Sequence, residues 1–160
     1  MTFSKIPFKE YALVRASTNA KAEYDSIQLP KRSTSGSAGY DFYMPFSAII
    51  PYKGELMIPT GIRVLLDKDK FLMCVPRSGL GVKYKLRLKN TCGIIDYDYA
   101  FSENWGHIMA FVCNEGSNDL ELKAGDRFMQ GIIMQYFVTD DDTTNGTRNG
   151  GFGSTGGHSL

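Results

Sequence analysis

The sequence predicts an all-β protein, a sandwich or barrel built from short strands. Its apolar segments are short, and turn residues interrupt them about every ten positions, which is the rhythm of such folds. Helical periodicity is hard to find. Prolines fall at the ends of apolar segments, where the missing N–H costs no ladder hydrogen bond. These prolines are Pro45, Pro51, Pro59 and Pro76.

The expected strands follow one another along the chain, with a single short helix among them. The strands are predicted at residues 38–44, 56–66, 71–75, 93–95, 108–113 and 128–138. The helix is expected after Pro76, at residues 79–84. Strands 71–75 and 108–113 are apolar at every position, so both of their faces should be buried. A chain of this length has little left to supply a second layer, which favours an oligomer.

Length and composition indicate one domain and exclude some partners. The chain has 160 residues, of which 42% are hydrophobic and 22% charged, as in a soluble protein with one compact core. A formal net charge of +1 gives no broad field for nucleic acid or an anionic membrane. We therefore expect neither partner, and any bound polyanion should be small.

The two chain ends differ from the centre. We assign residues 1–138 to the barrel domain, with residues 1–30 as an N-terminal extension and first strand. Residues 139–160 form a Gly-rich tail that cannot build a core and should be flexible until a ligand orders it. Residues 1–10 contain no stretch of signal-peptide length, and no segment approaches the ~20 residues of a membrane span. We expect a cytoplasmic protein whose cysteines, Cys74, Cys92 and Cys113, are reduced core thiols.

Five segments place groups suited to chemistry at the ends of strands. Asp41 enters the first predicted strand, and Arg77 and Ser78 lie where a strand meets the short helix. Asp96 follows an apolar strand, where a carboxylate could serve as a general base. Gln130 interrupts an apolar run, so its amide either bonds to backbone or faces a ligand. Taken alone, the Arg77 segment is equally compatible with an ordinary turn, Asp41 indicates only a turn before a strand, and a solvated turn is the favoured interpretation for Asp96.

The fifth segment lies in the tail, at residues 148–156. It combines the guanidinium of Arg148, hydroxyl groups and unhindered backbone N–H groups, which are the donors that a polyphosphate needs. Phe152 is the only aromatic residue of this segment and could stack on a nucleobase. A disordered Gly/Ser linker is the alternative interpretation.

In order and spacing, the five segments closely resemble the motifs of the trimeric dUTP pyrophosphatase (dUTPase) family. The resemblance covers residues 38–156. It implies a distorted jelly-roll β-barrel that forms a homotrimer, with each active site shared among the subunits. It also implies a dUTP diphosphatase that converts dUTP into dUMP and pyrophosphate with Mg²⁺.

The resemblance also assigns roles to single residues. Asp96 would be the base that activates water for in-line attack on the α-phosphorus, and Asp41 would touch Mg²⁺ through water. The substrate would be bound by the following residues: Arg77, Ser78, Gly79, Asn90, Gly93, Ile95, Tyr99, Gln130, Arg148, Phe152, Gly153, Ser154 and Thr155. Arg127 would support a subunit contact or the tail.

The chain departs from the family pattern at Phe128, Met129 and Gly131 of the fourth segment, where we expect repacking, and in two further places. After Tyr99, residues 100–105 lengthen a loop beside the site, and the tail is one residue short between Arg148 and Phe152. A related deaminase of dCTP shares the barrel, but its catalytic glutamate would fall on Phe111, which cannot act as a base. Two alternatives remain. One is a nucleotide-responsive binding protein, with its partner contact near Trp105, and the other is an all-β domain whose polar residues are structural.

Overall fold

The computed structural model describes residues 1–148 and residue 150. The strands are β1 (Thr2–Lys5), β2 (Gly39–Tyr43), β3 (Ala48–Ile50), β4 (Glu55–Pro59), β5 (Ile62–Leu65), β6 (Lys70–Pro76), β7 (Leu86–Leu88), β8 (Gly93–Asp96), β9 (Met109–Asn114), β10 (Leu120–Leu122) and β11 (Arg127–Gln135). The helices are α1 (Phe8–Arg15), α2 (Ala20–Ser26), α3 (Ser78–Tyr84) and a 3₁₀ helix at Tyr97–Phe101.

Antiparallel pairing joins these strands into small sheets. A four-stranded sheet has the order β2-β11-β6-β8, and a three-stranded sheet has the order β4-β9-β7. β1 pairs with β5, and β3 pairs with β10. In the four-stranded sheet, Gln130 of β11 lies opposite both Asp41 and Val75. This sheet therefore connects the segments that the sequence singled out.

Alternate positions of the strands face one hydrophobic core. In β6, Leu72 and Cys74 are buried, whereas their neighbours are only partly buried. In β9, Ala110 and Val112 are buried, but Phe111 is 41% exposed. The prediction that both faces of these strands are buried is therefore not met within the single chain.

The predicted strands are confirmed, with small changes in their bounds. The predicted strand 56–66 is two strands, β4 and β5, separated at Thr60 and Gly61. β1 lies within residues 1–30, where a first strand was expected. Three further strands, β3, β7 and β10, were not expected, and each has only three residues, which is too short for an alternating pattern to stand out.

The prediction of a single helix was wrong, although α3 lies where that helix was expected. Residues 1–30 contain a strand and two helices, because α1 and α2 pack on the barrel and on each other. Tyr11 is fully buried, and the Tyr24 hydroxyl donates a hydrogen bond of 2.6 Å to the Ile6 carbonyl. Arg15 binds Glu23 through two hydrogen bonds of 2.8 and 2.9 Å. Tertiary contacts of this kind stabilise helices whose own pattern is weak.

The state of the cysteines and the character of the helices agree with part of the sequence analysis, which expected reduced core thiols and no membrane span. All three cysteines are free, but only Cys74 is buried, so the description of core thiols holds for that residue alone. Burial raises the pKa of the Cys74 thiol to about 12. Among the described residues, the helices are too short or too polar to cross a membrane.

His107 is a buried histidine that the fold keeps neutral. Its side chain is 1% exposed, and its Nε2 accepts a hydrogen bond of 3.0 Å from the Gly61 N–H. An acceptor nitrogen carries no proton, and burial lowers the pKa of His107 from 6.5 to about 4. This hydrogen bond therefore links the turn between β4 and β5 to the segment that precedes β9.

This burial predicts that stability decreases in mild acid. Between pH 6.5 and about 4 the unfolded chain binds a proton at His107 that the folded chain does not, so the free energy of unfolding falls as pH falls. The full loss is about 3 kcal/mol, from 1.36 kcal/mol per pKa unit. Urea unfolding at several pH values measures it. In His107→Gln, whose amide oxygen can accept from Gly61, the pH dependence over this range should be weaker. If the free energy of unfolding of this variant depends on pH as in the wild type, His107 is not the source of that dependence.

Candidate active site

A cavity of about 200 Å³ opens beside β8 and is the centre of the candidate site. Its lining includes five of the predicted substrate-binding residues: Asn90, Gly93, Ile95, Tyr99 and Arg148. The rest of the described lining is mainly apolar: Cys74, Leu88, Ile94, Ile108, Met109, Ala110, Phe111 and Met129. An apolar cleft with a few polar groups at its edge is the usual form of a small-molecule site.

Strand pairing fixes the position of this cavity. β8 is the edge strand next to β6, with Gly93 opposite Cys74 and Asp96 opposite Phe71. The chain then turns into the 3₁₀ helix, and Asp96 adopts an extended backbone immediately before it. The carboxylate of Asp96 therefore stands at the end of the strand that lines the cavity.

Asp96 and Asp98 share one cationic partner. The Arg148 Nη2 donates a short hydrogen bond to Asp96, and its Nε donates one of 2.8 Å to Asp98. The guanidinium also lies 5.9 Å from the centre of the Tyr99 ring. Arg148, expected to clamp the γ-phosphate, here lies against the carboxylate expected to activate water.

Tyr99 is held firmly at the cavity wall. It is 6% exposed, and its hydroxyl donates a hydrogen bond of 2.9 Å to the His107 carbonyl. The same hydroxyl accepts one of 2.8 Å from Asn104 Nδ2. Burial raises the pKa of Tyr99, so the phenol remains protonated at neutral pH.

A second cluster surrounds Asp41, which is 5% exposed. Arg77 Nε lies 2.9 Å from one carboxylate oxygen, and Arg127 Nη1 lies 3.3 Å from the other. The Ser33 hydroxyl donates a hydrogen bond of 2.7 Å to the second oxygen. Arg127, expected to support a subunit contact or the tail, thus contacts Asp41 of its own chain. One carboxylate shared by two guanidinium groups leaves N–H groups of both available to an anion.

Gln130 and the start of α3 adjoin this cluster. A Cβ added at Gly39 would lie 2.5 Å from Gln130 Oε1, so the glycine leaves room for the amide on the neighbouring strand. Arg77 immediately precedes α3, and Ser78 and Gly79 in its first turn are exposed. Free backbone N–H groups at such a position favour a nearby negative charge.

The described contacts bring the predicted residues together in two groups. Asn90, Gly93, Ile95, Tyr99 and Arg148 line the cavity, with Asp96 at its edge. Asp41, Arg77, Ser78, Gly79 and Gln130 lie around the second cluster. The remaining predicted residues, Phe152, Gly153, Ser154 and Thr155, lie outside the described residues.

Sequence reasoning missed two residues that support these groups. Ser33 lies eight positions before Asp41 in a polar stretch, and nothing in that stretch marks it as a partner of Asp41. Asn104 lies in the added loop after Tyr99, where turn residues are expected in any case. Only the folded chain shows that their side chains contact Asp41 and Tyr99.

The acidic groups fit a magnesium ion held mainly by another ligand. Within the described part of the chain, no cluster of three or more His, Cys, Asp or Glu side chains could hold a metal. Both oxygens of Asp41 already accept hydrogen bonds or ion pairs. Mg²⁺ retains several waters and favours phosphate oxygens, so a contact with Asp41 through water fits this donor set.

Comparison with known proteins agrees with this geometry. A family model described as dUTPase matches residues 25–156. The deoxyuridine 5′-triphosphate nucleotidohydrolase of Wolinella succinogenes is 33% identical over 135 residues, covering 80% of this chain and 86% of the relative. The enzyme of the same name from Laribacter hongkongensis is 38% identical over 137 residues, covering 81% and 89%.

A solved structure shows the same fold. The crystal structure of dUTPase from Streptococcus mutans superposes with a TM-score of 0.69 at 30% identity, covering 88% of this chain and 99% of that one. The fold is therefore the distorted jelly-roll that the sequence resemblance implies. Fold, cavity and relatives together define a nucleotide hydrolase.

The chain belongs to the dUTPase family. Its activity is that of a dUTP nucleotidohydrolase, as predicted from the five motifs.

Proposed function

We propose that the chain converts dUTP into dUMP and pyrophosphate, with Asp96 as the general base. In this mechanism Asp96 orients a water molecule and takes its proton as the water attacks the α-phosphorus in line with the leaving pyrophosphate. The observation that carries the proposal is the position of Asp96, at the end of the strand that lines the cavity. Phosphoryl transfer depends mainly on positioning and on charge neutralisation, which the two clusters of donors would supply.

Arg148 occupies one of the two carboxylate oxygens of Asp96. Loss of that contact would leave both oxygens free to orient water. An anionic substrate offers the guanidinium competing phosphate oxygens, which bind it strongly. Substrate binding would thereby release the base and bring Arg148 to the phosphates.

We propose that Mg²⁺ is bound chiefly by the substrate phosphates, with Asp41 in contact through water. The ion supplies charge neutralisation on the phosphate chain when it is bound. The triphosphate would also be bound by N–H, hydroxyl and amide groups of the protein, those of Arg77, Ser78, Gly79 and Gln130. The pairing of Asp41 with two guanidinium groups supports this role, because it orients both toward a common point.

Selectivity for dUTP would come from the cavity. The backbone of residues 90–99 would read the uracil edge, while the Tyr99 ring would pack under the deoxyribose and exclude a 2′-hydroxyl. Phe152 would cover the uracil, and Gly153, Ser154 and Thr155 would close on the phosphates. The apolar lining includes Phe111, which cannot serve as the base that a dCTP deaminase needs.

We further propose a homotrimer with shared active sites. Large apolar side chains are exposed on the single chain, among them Ile94 of β8 at 51% and Phe111 of β9 at 41%. Exposed apolar groups on strands that line the site favour burial against another subunit. Such an assembly would bring the cavity of one subunit against the Asp41 cluster of another.

Replacing Asp96 tests the proposed base. Asp96→Asn keeps the shape of the side chain but removes the proton acceptor, so turnover should fall at least about 100-fold while dUTP still binds. Pyrophosphate release and equilibrium binding of a non-hydrolysable dUTP analogue measure the two effects. Asp98→Asn is the matched control, since Asp98 shares the same Arg148 partner, and it should lose far less activity. Full turnover in Asp96→Asn would exclude Asp96 as the base.

The proposed homotrimer can be tested by the mass of the protein in solution. Light scattering on the purified chain should give about three times the 17.8 kDa of the monomer. Phe111→Glu should lower that mass, because burying a carboxylate in an apolar contact is costly. A wild-type chain that is fully active and has the monomer mass would contradict shared active sites.

A further inference from the structure

We propose that Asn104, in the loop added after Tyr99, is a positioning residue that sets the selectivity for deoxyribose. It does so by anchoring the hydroxyl of Tyr99, whose ring forms the proposed sugar-binding surface. The inference rests on the proposed function, because it assumes that Tyr99 packs under the sugar.

One hydrogen bond fixes the orientation of the Asn104 side chain. The Gly106 N–H lies 3.1 Å from Asn104 Oδ1 and can only donate. The Ser102 hydroxyl lies 2.7 Å from the same oxygen and 2.6 Å from the Tyr99 carbonyl, but its single hydrogen can go to only one of them. The carbonyl of the amide therefore faces the loop, and its Nδ2 faces Tyr99.

This orientation determines the direction of the next two bonds. Asn104 Nδ2 donates to the Tyr99 hydroxyl over 2.8 Å, so that oxygen acts as an acceptor. The only hydrogen of the hydroxyl is then left for the His107 carbonyl, 2.9 Å away. The hydroxyl is held from two sides, and the chain of bonds runs in one direction from Asn104 to His107.

The backbone of the loop makes this arrangement rigid. Trp105 and Gly106 both have positive φ, at 62° and 70°. A Cβ at Gly106 would lie 2.6 Å from the Ala100 Cα, so the turn requires glycine there. The Ser102 N–H also donates a hydrogen bond of 3.1 Å to the Tyr99 carbonyl. The loop after Tyr99 therefore folds back against Tyr99 itself.

Holding the ring still has a consequence for selectivity. A 2′-hydroxyl is excluded only if the surface under the sugar cannot move away from it, so discrimination depends on how firmly Tyr99 is anchored. A Tyr99 ring without these hydrogen bonds would still offer an apolar surface to deoxyribose, but it would move aside and admit the 2′-hydroxyl of ribose. Asn104 should therefore affect the ratio of dUTP to UTP use more than it affects dUTP turnover.

Asn104→Asp is the sharpest test of this role. A carboxylate still accepts from Gly106, but it has no hydrogen to donate, so the Tyr99 hydroxyl can bond to it only by turning its hydrogen away from the His107 carbonyl. The ratio of kcat/KM for dUTP to that for UTP should fall about tenfold, the effect of losing one such contact. Glu103→Gln, a change of the same size at an exposed neighbour, is the control and should keep the wild-type ratio.

A double-mutant cycle shows whether Asn104 acts through Tyr99. Tyr99→Phe keeps the ring but removes the hydroxyl, and it should lower the ratio by a similar factor. Adding Asn104→Asp to Tyr99→Phe should then cause little further loss, because the shared bond is already gone. If Asn104→Asp does not fold, the loss in Tyr99→Phe alone still has to appear.

Two results would overturn the proposal. One is an unchanged ratio in Asn104→Asp or in Tyr99→Phe, whatever their thermal stability. The other is an equal, additive loss when the two changes are combined. Both results can be distinguished from failure of the proposed function. In that case the wild-type protein would hydrolyse no dUTP.

Discussion

The position of β6 between β8 and β11 is the constraint on which both halves of the site depend. Through β8 it places Gly93 opposite Cys74 and Asp96 opposite Phe71, which sets the cavity and the proposed base. Through β11 it places Gln130 opposite Val75, just before the chain reaches Arg77. A slip of one residue would turn every side chain of β6 to the other face. Burial of Leu72 and Cys74 in the core opposes such a slip.

Charged and polar groups near the site are held by defined partners. The Asp41 carboxylate bridges two guanidinium groups, and the neutral His107 accepts from a backbone N–H. A buried polar group without a partner is costly, so these bonds limit the conformations of the loops that carry them. Asp41, Arg77 and Tyr99 are therefore held in place without substrate, and such preorganisation is one way in which enzymes reduce the cost of reaching the transition state.

Sequence patterns predicted the strands that are long enough to show periodicity, and motif spacing predicted the residues around the cavity. They failed for α1 and α2, because these helices depend on packing of Tyr11 and Tyr24 against the barrel rather than on their own pattern. They also failed for Ser33 and Asn104, since a side-chain partner distant in space leaves no mark on local sequence. Burial of both faces of β6 and β9 is not met within one chain, and the proposed assembly would supply the missing surface.

The measurement that most directly tests the central claim is pyrophosphate release from dUTP, dCTP, dTTP and UTP side by side, each with Mg²⁺ and with EDTA. The account predicts release from dUTP with Mg²⁺, strongly reduced by EDTA, and little release from the other three nucleotides. Comparable release from several nucleotides would contradict selection by the cavity and Tyr99. Release from none would contradict catalysis and favour a protein that binds the nucleotide without hydrolysing it.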